Sequence, residues 1–305
     1  MLSVLALILI VVPQPLKSVS DPTAAGKITK LFHAVFATDN EREESLATSE
    51  VKAIYTRRGL PTITEVGDEP AYEFILLLAN DRFPLSFRQQ VLAKIKEAAA
   101  RHEIPSDAPI FYAARLRMSE AKQKAESSPP TNLALRDQIK RMYKADQGVR
   151  QKNSFDPEEL VKVDQSHTAP LQAIFRKYGL PTYSLVGPQA ADEFLIMIQH
   201  QPAHFRAQVL PNLKAAVDAG QADAETYALV YDRAQRDMGR KQLYGTQFEC
   251  KQGEKLHPAP TEDEAHVNQR RAQMGHMRVE LYARLLAETT PQFCSPASTK
   301  AGARR

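Results

Sequence analysis

The sequence predicts a mainly α-helical protein made of two related helical units in tandem, the second with a short β-hairpin or loop after its third helix. Three observations predict it. VKAIYTRRGLPTITEVG (residues 51–67) and LQAIFRKYGLPTYSLVG (residues 171–187) match at a constant offset of 120 with eight identities in seventeen positions, and self-similarity at a fixed spacing marks a repeated structural unit. Around this stretch the apolar residues recur at i, i+3 and i+4, the period of a helix with one buried face. The breaks between these segments are glycine and proline, the residues that end helices.

The elements follow in order. MLSVLALILIVV is an apolar run ended by Pro13, with Ser18 and Ser20 behind it. At about a dozen residues it is short for a bilayer and suits the core of a signal peptide over residues 1–20. Export to the periplasm or beyond is the expectation; an uncleaved membrane anchor or a buried segment of a cytoplasmic chain are the alternatives. The first unit, 27–125, offers helices at AYEFILLLAND, FRQQVLAKIKEAAARHE and APIFYAARLRMSEAKQKA. AESSPPT has linker composition and sets a boundary at 126–130. In the second unit, 131–288, helices stop at Gly179 before Pro181, at Gly220 and at Gly239. Upstream of each GLPT stands a segment with Asp and Arg: FATDNERE around Asp39 and Arg42, and YKADQGVRQ around Asp146, Gln147 and Arg150. Residues 289–305 form a tail.

Composition excludes several classes. The chain has 40 Lys and Arg against 36 Asp and Glu, a balance of +4 with the signs interspersed, so no stripe for nucleic acid is present. Contact with a membrane is expected only through an uncleaved signal segment. GxSxG, Walker A and GxGxxG motifs are absent, which removes support for an esterase elbow, a phosphate loop and a dinucleotide cofactor. His200 and His204 have the spacing of a helical metal pair, but Pro202 interrupts the helix between them, and neither a metal nor a cofactor is expected. Cys250 and Cys294 are the two cysteines. They are a candidate disulfide in an exported protein and two free thiols otherwise.

The first unit is an internal control for the second. Positions that only support the fold should agree between them, and the apolar and turn positions do. Several polar ones diverge: Gln199 and His200 stand where Ala79 and Asn80 stand, and Asp232 where Ala114 stands, while Arg233 falls on Arg115. KQLYGTQFEC, at 241–250, has no counterpart. The run of GLPTYSLVG, IQH, YDR, QLYGTQF, HPAP and the pair Arg270 and Arg271 resembles the bacterial family called Domain of Unknown Function 6624, over about residues 131–288, with the first half as a degenerate copy. Family members commonly have Trp in a GWPT turn where this chain has Leu180, which implies different packing there. The resemblance implies motif positions and no activity.

Chemistry can be read from the residue types. His200, at the end of an apolar helix, suits a general acid or base, or else a helix cap. Asp232 and Arg233 are neighbours on a helix and point about 100° apart, so one can face a ligand while the other braces a helix. Gln242, Tyr244, Thr246 and Gln247 offer hydroxyls and amides for a polar ligand. Gly245 permits close backbone approach or a positive φ. Arg271 suits an anion clamp or a solvated surface. Two functions are expected from these residues. One is a non-catalytic binding or interaction module of the cell envelope, for a small polar ligand or an envelope protein. The other is a hydrolase or lyase using His200.

Overall fold

The computed structural model describes residues 19–38, 40–150, 156–250, 256–290 and 294. The apolar run at the start of the chain and nearly all of the tail lie outside the described residues. Among the described residues the chain forms fourteen α-helices and a single two-stranded sheet, so the protein is mainly α.

The first half contains α1 (Pro22–Phe36), α2 (Glu41–Arg58), α3 (Ile63–Val66), α4 (Asp68–Leu78), α5 (Leu85–Ala100) and α6 (Ala108–Glu126). The second contains α7 (Leu133–Arg150), α8 (Pro157–Tyr178), α9 (Tyr183–Val186), α10 (Pro188–Gln199), α11 (Ala203–Asp218) and α12 (Ala224–Asp237). The GLPT element ends α2 and α8 in the same way. Gly59 has φ 75° and ψ −150°, Gly179 has φ 71° and ψ −151°, a conformation a side chain would strain. Proline two residues later blocks any continuation.

A second feature common to both halves sets the register of their first helices. The N–H groups of Ser20 and Asp21 donate to the carbonyls of Thr64 and Glu65, and those of Thr131 and Asn132 donate to Ser184 and Leu185. Carried along α1 and α7, this register sets Asp146 at the place of Val35 and Arg150 at position 39. The sequence pairing of Asp39 with Asp146 therefore shifts, because α7 runs for 18 residues where α1 runs for 15, which keeps Asp146 inside its helix while α1 ends at Phe36. Arg42 lies on α2, and Asp39 lies outside the described residues.

Each half has its own apolar core, built around a helix that is buried almost all round. These are α4, with Phe74 to Leu78 at most 2 % exposed, and α10, with Phe194, Leu195 and Ile198 fully buried. Continuous runs such as FILLL leave no polar face, so such a helix must be central. After α12 the chain forms strands β1 (Phe248–Glu249) and β2 (His257–Pro258), which pair antiparallel, then α13 (Val267–Gln273) and α14 (Val279–Thr289). These last helices return to the first half: Ala272, Leu281 and Leu285 complete its core. Arg278 pairs with Asp107 and Asp68, and Arg284 with Glu73 and Glu69. A disulfide joins Cys250 to Cys294, with Cα atoms 5.5 Å apart. It ties the hairpin to the residues after α14.

Candidate functional site

The loop that has no counterpart in the first half is organised by two buried charges of opposite sign. Asp232, fully buried on α12, accepts the N–H groups of Leu243 (2.8 Å), Tyr244 (3.0 Å) and Thr246 (2.9 Å) and the Thr246 hydroxyl (2.9 Å). Burial raises its carboxyl above the usual range, against the lowering effect of these donors. Arg271, fully buried on α13, does the converse. Its Nη1 donates to the carbonyls of Tyr244 and Gly245, both at 2.9 Å, and its Nε donates to Met277 at 2.6 Å. Burial brings its guanidinium down to about 10, so it stays cationic at neutral pH, with its Cζ 5.2 Å from the centre of the Tyr282 ring.

Gln242 closes the loop from the other side. Its amide nitrogen donates to the carbonyls of Gln247 and Ala259 and to the Thr261 hydroxyl, and its oxygen accepts the N–H of Gln247. Gly245 has φ +64°, and a Cβ there would sit 3.2 Å from Val267 and 3.3 Å from Val279. The glycine serves a left-handed turn and tight packing. Tyr244 is 6 % exposed, with its ring edge-on to those of Tyr227 and Tyr231. Asp232, Tyr244, Gly245, Thr246 and Arg271, all read from sequence as ligand contacts, are thus turned into the protein and joined in one network, and Gln242, read the same way, is bonded to Gln247, Ala259 and Thr261. Buried polar groups need such partners, and here the loop supplies most of them; Arg271 also bonds Met277 through Nε, and its buried Nη2 has no hydrogen-bond partner among the described residues.

His200, Arg233 and Gln247 are only partly buried. Arg233 does point away from Asp232, as helical spacing requires. It donates to Gln247 Oε1 at 3.3 Å and to the Gln199 carbonyl at 3.3 Å. His200 is the C-cap of α10. Burial, then the charges of Arg150 and Arg233, bring its imidazole down to about 4, so it is neutral at physiological pH. Among the described residues its ring has no hydrogen-bond partner.

Several groups beside His200 were not singled out from sequence. Arg206 on α11, 3 % exposed, donates to the carbonyls of Gln199 and Gln201 and pairs with Asp237. Arg88 in the first half does the same at the end of α4, donating to the Ala79 carbonyl and to Asp81. Both cap a helix C-terminus, where cations are favoured. On α8, Asp164 pairs with Arg150, which also binds Asp146. His167, one turn from Asp164, is 8 % exposed with Nδ1 unpartnered among the described residues. Extending the repeat offset upstream would have flagged these positions: Asp164 falls on Glu44 and His167 on Ala47. No group of three or more metal-ligating side chains occurs among the described residues.

Residues 133–291 match the model of DUF6624, a family of unknown function. The match begins at α7 and runs through the loop to the end of α14. No curated protein and no solved structure matches the chain.

Proposed function

The chain belongs to the family of unknown function DUF6624, and from that premise we propose that it is a non-catalytic binding module of the cell envelope, taking a small polar ligand at the His200 end of α10. The observation that carries this reading is the state of His200. It is a neutral imidazole, partly buried beside Arg150, Arg206 and Arg233, with no hydrogen-bond partner among the described residues. Such a ring offers one donor and one acceptor. Arg233 and Gln247 stand next to one another at the same helix end, adding donors for a carboxylate or a hydroxyl.

Binding is favoured over catalysis by the same numbers. An imidazole that protonates only near 4 is a weak base and carries no acidic imidazolium proton at neutral pH, whereas acid–base catalysis works best with a group matched to the working pH. The charged groups that act on it are three arginines and an aspartate, a setting suited to holding a polar ligand. The Cys250–Cys294 disulfide and the apolar start of the chain support placement in an oxidising, exported compartment. No helix among the described residues is long and apolar enough to cross a membrane.

The test is a thermal-shift screen of the full chain against small carboxylates, sugars and cell-wall fragments, because a ligand of the native state raises the melting temperature. At least one compound should stabilise the wild type and leave a folded His200→Ala variant unshifted. Hits that stabilise both proteins equally would move the ligand elsewhere and overturn the reading.

A further inference from the structure

A separate cleft of about 510 Å³ opens at the end of α4, the first half's equivalent of the His200 end of α10, and residues of both halves line it. One wall carries Glu44 and Arg82, paired at 2.6 Å; the other carries Arg115 of α6, paired with Glu225 of α12. Phe36, Leu76, Phe111 and Met277 supply apolar surface in the same cleft. Its charged and apolar groups are thus brought together from five helices and two loops.

The wall shared between the halves is held in place. Gly275 has φ +77°, and a Cβ there would lie 3.0 Å from Met118 Sδ and 3.1 Å from Arg115 Cδ, so the loop after α13 packs directly against the Arg115 stem. The next residue, His276, bonds the Glu225 backbone carbonyl at 3.0 Å through Nε2. Arg115 and Glu225 are therefore positioned before any ligand arrives, and preorganised groups lose less on binding.

We propose that this cleft binds a zwitterionic amino acid or dipeptide with an apolar side chain. Each wall presents a guanidinium next to a carboxylate, and Asp81, which also lines the cleft, is paired with Arg88. A ligand with a single net charge would meet repulsion from one member of each pair, whereas a ligand with both an ammonium and a carboxylate matches both. A guanidinium is suited to the carboxylate of such a ligand, and Glu44 or Glu225 to its ammonium. The apolar side chain then lies against Phe36, Leu76, Phe111 and Met277, giving the apolar lining and few convergent polar groups usual for small-molecule sites.

The probe is L-leucyl-L-leucine, titrated into the full chain by calorimetry, with the methyl resonance of Met277 followed by NMR in parallel. One-to-one binding that shifts the Met277 methyl is expected. N-acetyl-leucyl-leucine and leucyl-leucinamide, each lacking one charge, and glycylglycine, lacking the side chains, should bind about tenfold or more weakly, as should the Glu44→Gln and Arg82→Gln variants. These two side chains are 25 % and 42 % exposed, so the variants should fold, which circular dichroism checks. The proposal is overturned by no heat and no Met277 shift up to about 10 mM dipeptide. It is also overturned if the singly charged analogues bind as tightly as the dipeptide, or if the folded variants bind it unchanged.

Discussion

The ends of α4 and α10 occupy equivalent places in the two halves and are finished differently. At α4, Asn80 is fully engaged: its amide reaches Glu44 at 3.4 Å, its oxygen accepts the Arg82 N–H at 2.8 Å, and Arg82 closes on the same glutamate. At α10 the equivalent residue is His200, unpartnered among the described residues. Val35 is replaced by Asp146, Ala47 by His167 and Phe83 by Gln201. Yet both ends carry the same buried arginine, Arg88 or Arg206, on the last carbonyls. The comparison separates two kinds of polar residue. Those that recur cap the scaffold; those that differ give each end its own lining, one largely apolar between ion pairs and the other polar around an imidazole.

The largest expected effect comes where the halves differ most inside. Ala114 occupies the place of Asp232, and Asp232→Ala would strand three backbone donors and a hydroxyl inside the loop. We expect a loss of about 3–5 kcal/mol in urea unfolding, since each unsatisfied buried group costs about 1–3 kcal/mol. A loss below about 1 kcal/mol would mean that water replaces the carboxylate.

The disulfide, which exists only in the second half, comes next. It closes a loop of 44 residues, and Cys250→Ser should cost about 2–4 kcal/mol on the chain-entropy account. Non-reducing peptide mapping of exported material should recover the linked Cys250 and Cys294 peptides. Two free thiols would remove both the bond and one support for export.

The third effect tests sameness rather than difference. Arg88→Leu and Arg206→Leu should destabilise alike, by about 1.5–3 kcal/mol each for lost charge-assisted hydrogen bonds. A large inequality would show that one of the two arginines does more than cap a helix.

The last effect concerns pH and removes no bond. His200 protonates near 4 in the folded chain and near its ordinary value of 6.5 in the unfolded one. Between these values the unfolded state binds more protons, so stability falls as pH is lowered from about 6.5 to about 4. His200→Gln should flatten that part of the curve, measured as the mutant-minus-wild-type difference in unfolding free energy. NMR titration should place the imidazole itself well below 6; a midpoint near 6.5 would mean that His200 is solvated.

Much of the fold was legible because helices announce themselves locally. The GLPT stops, the apolar runs of α4 and α10 and the short hairpin after the YGTQ loop all depend on nearby residues. The candidate site was only half legible. The internal comparison picked out His200 and Gln247 as unlike the first half, and it also picked out Asp232, Gln242 and Thr246, which share that unlikeness for another reason; Arg233 matches Arg115, and Arg271 came from the family motif. A residue without a counterpart can be new scaffold as well as new surface. The loop is an insertion, and an insertion with buried backbone needs buried partners of its own.

By itself the sequence determined the helical class, the recurrence around GLPT, the turn glycines and the positions at which the halves diverge. All of these follow from periodicity and backbone conformation within a few residues. Only the tertiary structure decided which polar side chains turn inward. It placed Asp232 and Arg271 on opposite poles of one loop, set Asp146 against Val35 by the register of α1 and α7, and brought Arg115 and Glu225 together from different halves. Burial and pairing are properties of distant segments meeting, and the same aspartate or arginine is a ligand contact in water and a structural staple once its neighbours exclude it.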